Sequence, residues 1–337
     1  MLPLPAKCNG SSYVAHTFSE YFLHTCIVLE LPFSLFAVYC IANVTPKQMF
    51  LLKVLLLAHQ MWVTYYSFLI NVGMVPVIFF PDIVMYTRGL FDVLDVPITL
   101  QAYLLGTAFA GMMLSILGLF AYRHQCVLPE RSCMKMRTGS FVVFNGCLHG
   151  FAFFYMIPQI VGAPDQTLSI EGLQQGPNAP CDLWDPHLYV FFYGLSKLLI
   201  FYGVFIMTCS NLMAFYIYHS FRSIRISRQR TSKSTRKKQI GFLYALILMA
   251  VIPNTLLCFP VAGLIIGTAS SVAYNPVFGE ILACCLSVHG LASTVTLIMS
   301  VKPYKQAAVV VFRRVCGLSL SKQNVVQIEV STKSNKF

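Results

Sequence analysis

Two ionisable side chains stand inside long apolar stretches: Glu30 within CIVLELPFSLFAVYC and Lys197 within YVFFYGLSKLLIFYG. A charge at the centre of a hydrocarbon layer costs about 3 kcal/mol or more, so such a residue marks a functional site by default. Both are candidate ligand contacts; Lys197 has the alternative of reaching the headgroup region with its ammonium. They fall on the first and fifth of the apolar segments, which are not neighbours in a seven-helix bundle, so no direct pair is expected. His59, His149, His289, Asn145 and Asn254 are polar points in other apolar segments. Hydrogen bonds between helices are their expected role. The sequence has no HExxH, GxSxG or phosphate-loop motif, no paired carboxylates within a span, and no metal-ligand spacing among its histidines. No catalytic residue, metal or cofactor is therefore expected. The last apolar segment has no lysine to carry a retinal Schiff base.

The elements that position these residues follow from composition. Of 337 residues, 57% are hydrophobic and 11% charged, where a soluble domain is about a quarter charged. Most of the surface must face lipid. Strands crossing a membrane alternate polar and apolar residues over about ten positions, whereas these runs are continuously apolar and longer. A helical span needs about 20 apolar residues. Seven stretches qualify: Tyr21–Val44, Leu51–Phe79, Val96–Tyr122, Ser140–Val161, Leu188–Ser220, Ile240–Gly267 and Val277–Val301. The fold class is an all-α membrane protein, a seven-transmembrane helix bundle. Residues 1–20 read as an extracellular segment without a signal peptide of their own, 21–301 as the bundle, and 302–337 as a cytosolic tail able to form a short amphipathic helix.

Direction follows from the basic residues, which collect on the cytosolic side of membrane proteins. With the N-terminus outside, every Lys and Arg except Lys7, Arg88 and Lys197 falls in or beside a cytosolic segment. The net charge of +12 is thus a matter of topology, and no nucleic-acid partner is implied. Of the twelve cysteines, most lie in spans as small packing residues or face the cytosol. Cys8 and Cys181 are on the outer side, where a disulfide can form. Asn9 opens an Asn-Gly-Ser glycosylation sequon on the same side. Cys316 follows Arg313-Arg314 shortly after the last span, a context for palmitoylation.

Four segments, in order, carry a resemblance. AVYCIANVTPKQM (Ala37–Met49), LDVPITLQAYLL (Leu94–Leu105), TRKKQIGFLYALILMAVIP (Thr235–Pro253) and HGLASTVTLIMSVKPYK (His289–Lys305) are similar to the nematode serpentine receptor class H chemoreceptors. The resemblance implies a G-protein-coupled receptor of sensory-neuron cilia and plasma membrane. Its implied role is olfaction, detecting an environmental small molecule and signalling through a heterotrimeric G protein by helix rearrangement. The family tends to place an acid two positions before the Arg that ends the third span; here the segment reads Phe120-Ala121-Tyr122-Arg123-His124, without that acid. Met249 stands where the family tends to have Gln. The alternative reading, a membrane transporter or channel, lacks the internal repeats and paired broken helices typical of that class.

Three groups of residues are candidates for signalling. Pro253 and Pro260 in the sixth span each remove a backbone donor, which makes them candidate hinges. Arg123, with Arg222, Arg225, Lys237 and Lys238 of the third cytosolic loop, is a candidate contact for the acidic surface of a G protein. The loop charges also face anionic lipid. Thr107, Gly111, Ser115 and Gly118 form a small-residue stripe for helix packing on the third span. The orientation is testable by glycosidase digestion: the glycan is expected to disappear in Asn9→Gln and to persist in Asn43→Gln, and the reverse pattern would invert the topology.

Overall fold

The structure, a computed structural model, describes residues 17–79, 83–175, 181–192, 197–226, 232–269 and 276–315. Helix α1 (Thr17–Asn43) is followed by α2 (Phe50–Phe68), which widens into a π-helical turn, Leu69–Met74. Strands β1 (Pro76–Phe79) and β2 (Ile83–Thr87), a single turn α3 (Leu90–Val93) and the long α4 (Ile98–Val127) come next. Then follow α5 (Thr138–Phe154), α6 (Ile157–Val161), α7 (Gln166–Gln174), β3 (Tyr189–Phe192), α8 (Lys197–Ile226), α9 (Lys233–Ala269), α10 (Pro276–Ser300) and α11 (Lys302–Val315). Helices α1, α2, α4, α5 with α6, α8, α9 and α10 occupy the seven expected spans. Five of these, the first, third, fourth, fifth and seventh, are each long and apolar enough to cross a membrane by themselves.

Helix α4 is the central pillar. In its most apolar stretch 78% of residues are buried within the protein, against 11% in α8. It packs on α2, α5, α8 and α9. Small residues permit this: the Cα of Gly111 lies directly under the indole of Trp62 on α2, where a Cβ would clash. The outer helices turn Val28, Leu35, Phe151, Phe154, Val204 and Met207 outward, as a lipid-facing surface requires. Both glycines and prolines shape the ends. Pro32 lies inside α1, and Pro158 opens α6 after α5 has stopped, where its missing N–H is harmless.

The sequence reading needs correction at two spans. The second was expected to run to Phe79, but its helical part ends at Met74, and Val75 takes a left-handed conformation (φ 44°, ψ 67°) that turns the chain into β1. The fifth was expected to begin at Leu188, but 189–192 form β3 and the helix starts at Lys197. The three strands pair antiparallel in the order β1-β2-β3, with Pro76 opposite Thr87 and Met85 opposite Tyr189. The expected all-α bundle therefore carries a small sheet at one end. One face of the sheet joins Val77, Phe79, Val84, Tyr86 and Val190 to Ile170 and Leu183. The other packs Met85, Tyr189 and Phe191 onto Met74 and Ala102 of the bundle. Trp184 and Tyr189 are packed in this cap, Tyr189 almost fully buried.

At the opposite end the loop after α1 is tied to α11 by a 2.6 Å hydrogen bond between Thr45 Oγ1 and Tyr304 OH. Within the bundle, Gly290 of α10 is the tightest point of the α1/α2/α10 contact. A Cβ there would strike Ser67 Oγ and the Glu30 carboxylate. Gly290→Val is expected to lower stability by about 1–3 kcal/mol and to reduce surface expression and melting temperature in detergent. Gly146→Val, whose site has nothing within 4 Å, should leave both unchanged.

Candidate functional site

Three polar regions lie along the bundle. The first is a seam between α1, α2 and α10. Gln60, Thr64, Ser67 and Asn71 recur on one face of α2 and its π-helical turn, Glu30 and Ser34 on α1, and Ser287, Gly290 and Thr294 on α10. Gln60 Nε2 lies 3.0 Å from Thr294 Oγ1, 3.4 Å from Ser34 Oγ and 3.3 Å from Thr64 Oγ1. Ser287 Oγ donates to Asn71 Oδ1 at 2.6 Å. Glu30 is completely buried, its carboxylate beside Ser67 over Gly290. Two further links leave α2. Ser115 Oγ donates to Met112 O, which leaves it to accept from His59 Nδ1 at 2.8 Å. Trp62 Nε1 donates to His149 Nδ1 at 3.0 Å. Composition alone missed Gln60, Ser67, Asn71 and Thr294; their signal was polar residues at helical spacing inside apolar spans.

The second region is at the sheet end. The centre of the bundle, between Tyr66, Phe109, Met113, Leu256 and His289, holds a void of about 10 Å³, room for about one water. A larger cavity of about 370 Å³ opens beside the cap, where the end of β2, the α3–α4 segment and the residues before β3 converge. Among its lining residues are Asp92, Asp95, Gln101 and His187, and none is Lys or Arg. Nearby, Arg88 Nη1 donates to Glu20 Oε1 at 2.8 Å, tying the sheet to α1. Burial works against the Arg88 charge, but the Glu20 contact and Tyr86 outweigh it and hold its pKa above the ordinary value.

The third region is at the basic end. Arg123 of α4 is 7% exposed, and its guanidinium carbon sits 5.3 Å from the centroid of the Phe242 ring on α9. Next to it, His124 Nε2 and His219 Nδ1 are 2.8 Å apart, joining α4 to α8. Arg222, Arg225 and Lys237 are exposed around this junction. Of the candidate partner contacts, then, Arg123 alone among the described side chains is occupied inside the bundle.

Other candidates sit apart. Lys197 is the first residue of α8, and α9 runs as one helix through positions 253 and 260. The side chains of Lys197, Lys238, Pro253 and Pro260, and all of Cys8, Asn9 and Cys316, lie outside the described residues. Cys181 is disulfide-bonded. Cys26, Cys40, Cys126, Cys133, Cys147, Cys209, Cys284 and Cys285 are free, and Cys147, expected as a packing residue, is exposed on α5. Among the described residues no cluster of His, Cys, Asp and Glu could hold a metal.

Seven spans around a buried third helix, with a capping sheet and a basic opposite end, define a seven-helix membrane receptor. The solved structure of squid rhodopsin superposes with a TM-score of 0.62 at 8% identity, covering 99% of this chain and 95% of that one. Residues 15–314 match the family described as serpentine type 7TM GPCR chemoreceptor Srh. The chain belongs to this family of G-protein-coupled chemoreceptors. A relative, serpentine receptor class H-72 of Caenorhabditis elegans, is 21% identical over 319 residues, covering 90% of this chain and 86% of that protein.

If α4 and α9 part at the basic end on activation, the Arg123–Phe242 contact between them opposes that step. A cation–π contact of this kind is worth about 0.5–2 kcal/mol. Phe242→Leu is expected to raise ligand-independent nucleotide exchange about two- to tenfold at the lower part of that range. Phe242→Trp, which keeps the ring face, should stay at the wild-type level.

Proposed function

We propose that this chemoreceptor sits in the plasma membrane of sensory-neuron cilia with the sheet end outside and the basic end in the cytosol. It detects an environmental small molecule and couples to a heterotrimeric G protein. The observation that carries the coupling side is the junction at the basic end: a buried Arg123 held by Phe242, ringed by exposed Arg222, Arg225 and Lys237. Parting of α4 from α9 frees the guanidinium, and the loop cations, with Lys238, attract acidic surface on the partner. Pro253 and Pro260 let α9 bend as it moves. A ligand shifts the population only by binding the open arrangement more tightly.

The outer segments hold the cap in place. We assign Cys8 as the disulfide partner of Cys181, because the eight free cysteines are excluded and Cys8 shares the outer side with it. Asn9 carries a glycan on that side, and Cys316 is a lipidation site beyond α11. Lys197, the first residue of α8, is a further ligand contact on this reading, apart from the sheet-end cavity. Glu30, at the seam, acts through the packing of α1, α2 and α10.

The test is ligand-dependent nucleotide exchange on Gα in membranes from cells expressing the full chain. Neutralising Arg222, Arg225 and Lys237 together to Gln is expected to reduce ligand-driven exchange at least about tenfold, since each such charge is worth about 1 kcal/mol near an oppositely charged surface, with surface expression retained. Pro253→Ala is expected to reduce the maximal response. Unchanged exchange in the triple variant would remove the loop from the coupling surface.

A further inference from the structure

The cavity at the sheet end has a chemical character that points to one class of ligand. Its volume of about 370 Å³ lies within the range of small-molecule sites, about 300–1,000 Å³. The void between Tyr66, Phe109, Met113, Leu256 and His289, by contrast, has room for about one water among the described residues. The polar groups around the cavity include several acceptors and no Lys or Arg among the described residues. Asp92 and Asp95 contribute two carboxylates, and neither has an ion-pair partner among the described residues. Thr87 and Thr99 contribute hydroxyls.

Gln101 is the decisive residue. It lines the cavity while only 2% exposed, its Nε2 is spent on Val96 O at 2.8 Å, and its Oε1 has no partner among the described residues. A buried amide oxygen without a donor is unfavourable, and a ligand N–H that reached it would complete its hydrogen bonding. The remaining lining, including Val96, Pro97, Ile98 and Leu188, is apolar. His187, also in the lining, has its Nδ1 3.7 Å from Asp185 Oδ1.

We propose that this cavity binds a small protonated amine with a hydrocarbon body. The ammonium is held by Asp92 and Asp95 and donates to Gln101 Oε1, and the chain lies against the proline and aliphatic wall. The site rests on the receptor reading for its purpose but not for its chemistry. Nothing in the lining would compensate a carboxylate or phosphate ligand, since it contains no Lys or Arg.

The experiment uses the full chain on intact cells with Thr99→Cys, an exposed position in the lining. Its rate of modification is measured with a cationic and an anionic methanethiosulfonate of similar size. The cationic reagent is expected to react at least about tenfold faster, the ratio for one unit of local attraction near 1.4 kcal/mol, and pentylammonium should slow it while pentanol does not. Adding Asp92→Asn and Asp95→Asn should collapse the preference. Should that variant fail to reach the surface, the pentylammonium–pentanol comparison in Thr99→Cys alone decides. Equal rates for the two reagents, or equal protection by the alcohol, would overturn the assignment. Selective protection by pentylammonium without any ligand-driven nucleotide exchange would leave the assignment standing and count against the receptor coupling instead.

Discussion

A polar group placed in hydrocarbon has to find its partner inside the protein, and this requirement organises the bundle more than any single apolar contact. Lipid offers a helix face as apolar an environment as another helix does, so burial of Leu against Leu does little to choose between arrangements. The hydrogen bonds do choose. Gln60 places α2 against both α1 and α10, His59 fixes α2 against α4, and the His124–His219 bond fixes α4 against α8. Each is worth about 0.6–2 kcal/mol in a membrane. Together they specify which faces meet, and close approach at Gly111 and Gly290 then becomes possible because no side chain intervenes.

The same requirement explains how a receptor without the usual acid before its third-span arginine can still be held closed. Arg123 keeps one favourable contact, its flat cation over Phe242, while its Nε and Nη2 have no hydrogen-bond partner among the described residues; its neighbour His124 is bonded to His219. A cation–π contact is weaker than a desolvated ion pair would have to be to offset its own burial. That weakness is useful in a switch. To move a population from closed to open a ligand needs differential affinity at least as large as the energy that holds the closed state. A contact of about 1 kcal/mol leaves most of that task to packing, with the aromatic character at position 242 adjusting the remainder.

Much of this architecture was legible in the sequence. Continuous apolar runs marked the seven spans, and the helix ends at α1, α4 and α10 fall close to where hydropathy placed them. The errors have different physical origins. In 75–79 (Val-Pro-Val-Ile-Phe), Pro76 was a helix-breaking signal overlooked within a continuous apolar run. Residues 188–192 (Leu-Tyr-Val-Phe-Phe) form a short apolar run that reads equally well as buried strand or as helix. Only pairing across the chain distinguishes them, with Met85 opposite Tyr189 more than a hundred residues away. The candidate site was less legible. Asp92 and Asp95 stand in the polar stretch between two apolar spans, but they, Gln101 and His187 acquire meaning together only where β2, the start of α4 and the residues before β3 converge. The seam was half visible: Glu30 stood out by its charge, whereas its uncharged neighbours Ser67 and Asn71 did not.

The cap and the cavity are consequences of each other. Strand β1 packs on α10 and the sheet's inner face covers the bundle through Met74, Met85 and Phe191, which closes the axial route into the helices. The α3–α4 segment must then pass around the edge of the sheet to reach the third helix, and it does so with Asp95 in a left-handed conformation (φ 51°) just before Pro97. Because α4 is the most buried helix of the bundle, a displacement at its first turn has contact partners on α2, α5, α8 and α9 along its length, and its last turn carries Arg123. On the proposed reading, a ligand that orders the α3–α4 segment acts on the element that runs from the cavity to the Arg123–Phe242 contact. Coupling between the two ends needs no path through the closed centre of the bundle, only a rigid helix whose two ends are each held by weak, breakable contacts.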